Sequence, residues 1–582
     1  MNGEWKFAFD REDVGLTQKW FAGRDAWPLQ IIVPYVHQSR LSGIGDTGHY
    51  RQVWYHRTFC LPTSFTGKRV RLHIGAADFR ATVWINGKEV GTYEGGYTPF
   101  WFDITDLVKP STGSENEVTI RVYDNERDPE QPRGKQHPSG KGNRWHYTHL
   151  TGIWQTVWLE AVNVATIDRY QVTSTINPPS AHFVVHTEGA PKGATVYIQL
   201  RDRQSNRRIG SGKGTVKDGK ASLTVTPEAG SVKLWTPQTP ILYNLTLQLQ
   251  SGSETVDEVT SYIGFRTVEA RDGKFFLNGT SVWLNGALDQ GYYPDGLYTP
   301  PNDQAFVDDI LWVKRLGLNH IRKHQMVAYP RFLYHCDRLG LLVWGEMANA
   351  GEGIGVSERS TSIALREWKR VIDRDFNHPC IVTWVYSNEN WMHGGPLQGR
   401  IDHYRAAFAQ MKAWDPTRPI IDTSGYYHVE SDIMDTHHYP PQKRLSSLYL
   451  WAEDKFPNPS SNIVFLTDMD YKGQPIMVSE WLNRNLHNFT GDQVDRWLPG
   501  YLATLGEFAS HPLCEGHCYV QLYDIENECD GYLYYDRRSK FTPRQEAILL
   551  KAHRQAEKHD LSYDWDAFIN KHCLEYALFQ AN

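Results

Sequence analysis

The sequence predicts three domains: two β-sandwiches followed by a (β/α)8 barrel. Three observations lead there. At 582 residues the chain is too long for one core. Residues 1–161 and 162–270 carry short alternating apolar runs between turn signals, which reads as all-β. From about Gly273 the rhythm changes, and strand-like runs alternate with amphipathic helical ones over residues 271–582.

In the first domain, strand-like runs recur at Val53–Phe59, Val70–Ile74, Ala81–Ile85, Glu117–Val122 and Gln155–Glu160. Asn86-Gly87 lies between ATVWI and KEVGTY, and a type I′ hairpin turn needs positive φ at both central residues. The polar stretch Asp124–His149 interrupts this pattern and contains Trp145 and Tyr147. So long a loop in a compact domain is either disordered or functional, and its aromatics predict packing onto a neighbouring pocket. The second domain repeats the β pattern in Thr195–Leu200, Ser222–Val225 and Tyr243–Leu249. Asp218-Gly219 is its hairpin signal, and about a hundred such residues fit an immunoglobulin-like sandwich.

Eight barrel strands are expected: Val282–Leu288, His320–His324, Leu341–Met347, Ile381–Glu389, Pro419–Thr423, Ile433–Tyr439, Pro475–Trp481 and Gly516–Asp524. Helical segments lie between them at Asp303–Arg315, Tyr329–Leu339, Arg366–Phe376, His403–Trp414 and Gln493–Ala509. A doubly wound sheet is the structural alternative.

Composition narrows the function. Net charge is −6 with both signs interspersed and no long Lys/Arg block, so neither nucleic acid nor a membrane surface is an expected partner. No run of about 18 apolar residues spans a membrane. The seven cysteines are scattered without a CxxC pair, which argues against a zinc knuckle or a disulfide framework. With no apolar core behind Met1, a cytoplasmic protein with reduced thiols is expected. Aromatic residues reach 13% and include 21 Trp, a surplus over core filling that suits stacking on sugar rings. No GxGxxG follows a strand and no P-loop is present, so no nucleotide cofactor is expected. His324, Glu346, His437 and His438 lack HExxH-like spacing, so no metal is assigned.

The chemistry gathers at strand ends. The fourth run, IVTWVYSNENW (Ile381–Trp391), is a buried strand that breaks into polar residues at Glu389. The seventh, PIMVSEW, ends at Glu480. Both carboxylates would emerge at the C-terminal mouth of the barrel, where such folds keep their chemistry. Two carboxylates across a cleft are the minimum for glycoside hydrolysis: one protonates the leaving oxygen, the other attacks or activates water. Asn388 can bind a sugar hydroxyl and Trp481 can wall the pocket. Arg322 and Tyr439 can hold Glu480 ionised and oriented. Each of these has a structural alternative, and His437 and His438 read equally well as satisfied loop histidines.

These residues resemble glycoside hydrolase family 2, which includes β-galactosidases, β-glucuronidases and β-mannosidases. ATVWINGKEVG and GIWQTVWLE resemble its N-terminal jelly-roll sugar-binding domain. IGFRTVEARDGKFFLNG resembles its passage from the immunoglobulin-like domain into the TIM barrel. FLYHCDRLGLLVWGEM resembles the third barrel unit, NHPCIVTWVYSNEN the acid/base strand and PIMVSEW the nucleophile strand. The resemblance implies a retaining mechanism with Glu389 as acid/base and Glu480 as nucleophile. It places Asn388 before the acid/base, Arg322 and Tyr439 in support of the nucleophile, and His324, Glu346 and Asp289 at substrate positions. It implies no cofactor and is compatible with dimers or tetramers.

The first strand departs from the family pattern, with Ala287-Leu288-Asp289-Gln290 and then GYYPDG where many β-galactosidases carry Asn-Arg-His-Glu. The Asn-x-Lys with which β-glucuronidases bind a carboxylate is also missing from ENECDGY (Glu526–Tyr532), where Glu528 and Asp530 would repel a uronate unless Lys540 or an Arg from another loop substitutes. The expected function is therefore an exo-glycosidase that releases a terminal β-galactoside. A β-galactofuranoside, an α-L-arabinoside or a β-glucuronide is the alternative substrate. A non-catalytic carbohydrate-binding protein is the alternative of another class.

Overall fold

The computed structural model describes the chain except for residues 24–26, 110–112, 126, 139–141, 144, 350–356, 390–396, 426–427, 440–470, 484–485, 487 and 574–582. Asn390 and Trp391, at the end of the fourth run, fall outside the described residues.

The N-terminal domain is a sandwich. A six-stranded antiparallel sheet runs in the order Leu29–Val33, Gly3–Phe9, Gln52–Phe59, Asn116–Tyr123, Arg80–Ile85, Lys88–Glu94. It shares a core with the three-stranded sheet Val157–Val162, Arg69–Ile74, Phe100–Asp103. Alternation fills that core: Trp5 and Phe7 point inward, as do Val53 and Tyr55. Asn86 and Gly87 both have positive φ (50° and 77°) and close the expected hairpin.

The second domain packs three strands (Thr166–Ile176, Pro179–Glu188, Lys220–Val225) on four (Arg208–Thr215, Thr195–Asp202, Tyr243–Ser251, Glu254–Ile263). One expectation fails here. Asp218-Gly219 makes its turn, with φ of 48° and 73°, but the flanking strands enter different sheets. The reason lies in Gly210, Gly212 and Gly214. A Cβ on any of them would come within about 3.0–3.2 Å of Val225, Leu223 or the Thr224 carbonyl. The two strands thus stack face to face across the sandwich instead of pairing edge to edge.

The third domain is a nearly closed parallel barrel. Its strands are Leu284–Asp289, His320–Lys323, Leu342–Glu346, Ile381–Val385, Ile420–Ile421, Met434–His438, Ile476–Trp481 and Cys514–Tyr519. Spatial order is fifth, fourth, third, second, first, eighth, seventh, sixth, so among the described residues only the fifth and sixth are not paired as strands. Hydrogen bonds between Asp432 and Ile420 bridge that seam. The helix Asp303–Arg315 has its expected bounds, with Asn302 as N-cap and Lys314 and Arg315 in its last turn. Glu358–Asp375 starts eight residues earlier than expected, and Pro543–Ala556 and Trp565–His572 are helices the periodicity did not reveal. No helix among the described residues is long and apolar enough to cross a membrane. All seven cysteines are free.

Both sandwiches dock on the barrel. The Arg266 guanidinium, at the end of the second domain, donates to the carbonyls of Pro379 (3.0 Å) and Ile381 (2.8 Å) beneath the fourth strand. From the first domain, Tyr97 N and Thr98 Oγ1 donate to the buried Glu367 carboxylate. Tyr147 inserts from the Asp124–His149 loop and is fully buried against Tyr292 of the barrel, whereas Trp145 stays exposed. One of the loop's two conspicuous aromatics therefore docks. Burying such a side chain contributes roughly 2 kcal/mol toward fixing the loop.

Candidate active site

Strand parity decides what reaches the barrel mouth, because successive side chains leave opposite faces. On the seventh strand Glu480 points inward. Its Oε2 accepts a hydrogen bond from the Tyr439 hydroxyl, and its Oε1 lies 3.1 Å from Arg322 Nη1. Trp481 points outward, stacks on Tyr501 of the helix Val494–Ala509 and donates from Nε1 to His517. The expected pocket wall is thus a packing residue of the helix layer.

Arg322 is the hub of the site. Fully buried, it donates from Nε to Glu346 (2.6 Å), from Nη1 to Glu480 and to Ser479 O, and from Nη2 to Asn388 Oδ1 (2.7 Å). A planar guanidinium presents its donors in a fixed fork, so one side chain sets the positions of four acceptors. Asn388 is held in turn by Asn349, which bonds both its N–H and its carbonyl. Glu346 is fully buried and also accepts from Gln325 N at 2.9 Å, with His324 Nδ1 at 3.1 Å. With these contacts it holds Arg322 from below and is not presented to a substrate, a correction to its expected role. His324 lies between the carboxylates, 3.5 Å from Glu480 Oε1, and burial pushes its pKa well below the ordinary histidine value against the pull of Glu480.

Asp289 is also corrected. Its Oδ2 is 2.7 Å from Lys323 Nζ, and its Oδ1 accepts from Gly291 N and from the Tyr523 hydroxyl. Lys323 sits over the ring of Phe332 in the neighbouring helix, so this buried pair faces the helix layer. Parity explains it: where Arg322 faces in, Lys323 and its register partner Asp289 face out.

Glu389 stands just beyond the fourth strand with φ of 49°, a left-handed conformation uncommon for a residue other than glycine. Its N–H donates to Ser424 O (3.0 Å), which pins the turn to the chain leaving the fifth strand. Its side chain is 35% exposed, against 6% for Glu480. The more exposed carboxyl can exchange protons with solvent, while the buried one is held by fixed donors.

His437 joins the two. Its Nδ1 is 2.6 Å from Glu389 Oε1 and its Nε2 is 3.4 Å from Glu480 Oε1. Gly425 makes room for its ring, since a Cβ there would come within 2.5 Å of it. The adjacent His438 faces outward, its ring against Phe508. The HHY run alone did not distinguish these histidines; the inward parity of the sixth strand would have. Burial works to lower the His437 pKa, but Glu480 and Glu389 together carry it above the ordinary histidine value. Burial would likewise raise both glutamates, yet the His437 charge, joined by His324 and Arg322 at Glu480 and by Lys135 and Arg322 at Glu389, brings each below the usual carboxylate value. Replacing His437 with Gln removes that charge, so both carboxyl pKa values rise. Both limbs of the kcat/KM–pH profile are expected to move to higher pH, and a move to lower pH would refute this reading of His437.

Ligand atoms of Glu389, His437 and Glu480 all lie within 4.8 Å of one another, close enough to hold a divalent ion. A second such trio among the described residues, Asp337, His378 and Cys380, lies at the opposite end of the barrel. There Asp337 already accepts from Tyr262, His378 and the Cys380 N–H. Lys540 is no spare cation: it is fully buried and donates to Asp524 and to the carbonyls of Phe489 and Cys529.

The same architecture occurs in known proteins. Residues 1–160 match the family model for the sugar-binding domain of glycosyl hydrolases family 2. Residues 165–266 match the model named for the family itself, and residues 268–487 that for its TIM barrel domain. A β-galactosidase of Thermoanaerobacter pseudethanolicus is 33% identical over 67% of this chain and 50% of its own, so the chain spans half the length of that relative. A β-glucuronidase of Paenibacillus borealis is 26% identical over 72% of each chain. The solved structure of Ruminococcus gnavus β-glucuronidase shares the fold with a TM-score of 0.76 at 19% identity, covering 95% of this chain and 97% of that one.

Proposed function

Since the chain belongs to glycosyl hydrolase family 2, we propose that it is a retaining exo-glycosidase releasing a terminal β-galactoside through a covalent glycosyl-enzyme intermediate. The observation that carries the retaining reading is the carboxylate spacing. One oxygen of Glu389 and one of Glu480 lie no more than 4.8 Å apart, on the retaining side of the roughly 5–5.5 Å that separates such pairs and short of the roughly 6.5–9.5 Å that leaves room for an attacking water.

In this reading Glu480 attacks the anomeric carbon while Glu389 gives its proton to the glycosidic oxygen, and the alcohol leaves. Glu389, now a carboxylate, takes a proton from water as that water attacks the anomeric carbon and releases Glu480. Arg322 and the Tyr439 hydroxyl keep Glu480 ionised and aimed. Asn388, its Oδ1 fixed by Arg322, keeps its amide N–H donors for a sugar hydroxyl.

The galactoside reading is supported by the β-galactosidase relative and by Lys540, whose ammonium is already spent on protein acceptors. A β-glucuronide is the second reading, favoured by relatives named β-glucuronidase at 26–27% identity. A panel of 4-nitrophenyl glycosides decides between them. The β-galactoside is expected to be cleaved fastest, with NMR showing the β-anomer of the sugar released first. Faster cleavage of the β-glucuronide would replace the galactoside reading, and the α-anomer released first would refute retention.

A further inference from the structure

The first domain reaches the barrel mouth at Lys135. Gly134, with φ of 58°, passes so close to the barrel that a Cβ there would lie 2.2 Å from Gln325 O. Gln325 directly follows His324. Lys135 O accepts from Tyr147 N (2.8 Å), so the two arms of the loop brace each other. The buried Tyr147 hydroxyl donates to Glu528 and accepts from Gln290 Nε2 (2.6 Å), and Gln290 Nε2 also reaches Gln521 Oε1 (2.6 Å). Lys135 is thereby held over the ends of the first and eighth strands.

This cluster has hydrogen-bonding capacity left over. Among the described residues the half-buried Lys135 ammonium makes no ion pair or hydrogen bond. Gln290 Oε1 and Gln521 Nε2 are buried without partners. Buried polar atoms are nearly always satisfied, and a group of unsatisfied ones at a cleft is a place where a ligand supplies the partners. Burial raises the Glu528 carboxyl pKa and the Lys135 charge opposes it; the same charge acts on Glu389. The contacts of Gly134 with Gln325 and of Tyr147 with Lys135 and Gln290 place Lys135 at the cleft that holds Glu389 and Glu480.

The mixture of donors and acceptors identifies the ligand. Lys135 and Gln521 Nε2 donate, while Gln290 Oε1 and Glu528 accept. A sugar hydroxyl both donates and accepts, so neighbouring hydroxyls of a neutral ring satisfy all four groups. A uronate carboxylate only accepts: it would leave Gln290 Oε1 unpaired and would face Glu528. We propose that Lys135, carried by the N-terminal domain, forms with Gln290, Gln521 and Glu528 a subsite that binds adjacent hydroxyls of a neutral sugar ring. The proposal rests on the glycosidase reading above and deepens it.

The test uses the full-length protein with Lys135→Ala and Glu528→Gln. Each is expected to lower kcat/KM on the neutral aryl glycoside roughly 10- to 100-fold with an unchanged thermal midpoint. The effect should shrink to a few-fold on analogues in which single ring hydroxyls are replaced by hydrogen, a dependence that a merely structural role would not produce. The proposal is overturned if Lys135→Ala stays within about threefold of wild type, or if it impairs an aryl uronide more than the neutral glycoside. If wild type cleaves nothing in the panel, the glycosidase reading fails separately. Calorimetry with galactose then reads the subsite: binding lost in Lys135→Ala supports it, and equal or absent binding in both proteins overturns it.

Discussion

Glu480→Gln is expected to lower kcat on aryl glycosides by on the order of 10⁴-fold or more, with little change in fold. The amide has the shape of the carboxylate and can still meet the Tyr439 hydroxyl and the Arg322 fork. It lacks the anionic oxygen that would bond to the anomeric carbon. Arg322 keeps the buried Glu346 as counter-ion, so no isolated buried charge is created. Steady-state rates, with the thermal midpoint as a control for folding, check this. A variant retaining a tenth of wild-type activity would remove Glu480 from the nucleophile role.

Glu389→Gly is expected to be nearly inactive on glycosides with poor leaving groups, by on the order of 10²- to 10⁴-fold, and far less impaired on substrates whose leaving group needs no protonation. The backbone assists this experiment. Glu389 sits at φ of 49°, where glycine is at ease, so the substitution relieves strain while it deletes the carboxyl. The vacated space beside His437 suits a small anion. Added azide is expected to restore turnover on an activated substrate and give the β-glycosyl azide, the product of attack on a glycosyl-enzyme held by Glu480. An α-azide, or no rescue on any activated substrate, would count against Glu389 as acid/base.

These experiments concern residues legible in the sequence to different degrees. Glu389 and Glu480 stood out because each ends a buried apolar run, and a carboxylate there is costly unless it is paired or used. Arg322 and Tyr439 were legible as supporting groups because a carboxylate kept ionised in such a place needs donors. Trp481 and Asp289 were misread through adjacency: a neighbour in sequence lies on the opposite face of a strand, and both turned to the helix layer. Glu346 was placed at the correct strand end, but its depth beneath Arg322 makes it a brace. His437 and Lys135 were missed as site residues for different reasons. The first needed the parity of the sixth strand; the second sits in a different domain, and no local pattern in RGKQ points to a barrel some 150 residues further along.

By itself the sequence determined the three-domain order, the eight barrel strands and the two carboxylates. Periodicity, turn residues and the abrupt ends of apolar runs are local properties of a chain and can be read from it. Only the tertiary structure decided which face each side chain took, that His437 bridges the two glutamates, and that a loop from the first domain brings Lys135 to the mouth of the third. Those are distances between residues far apart in sequence, set by closure of the barrel and docking of the sandwich, and no local spacing encodes them.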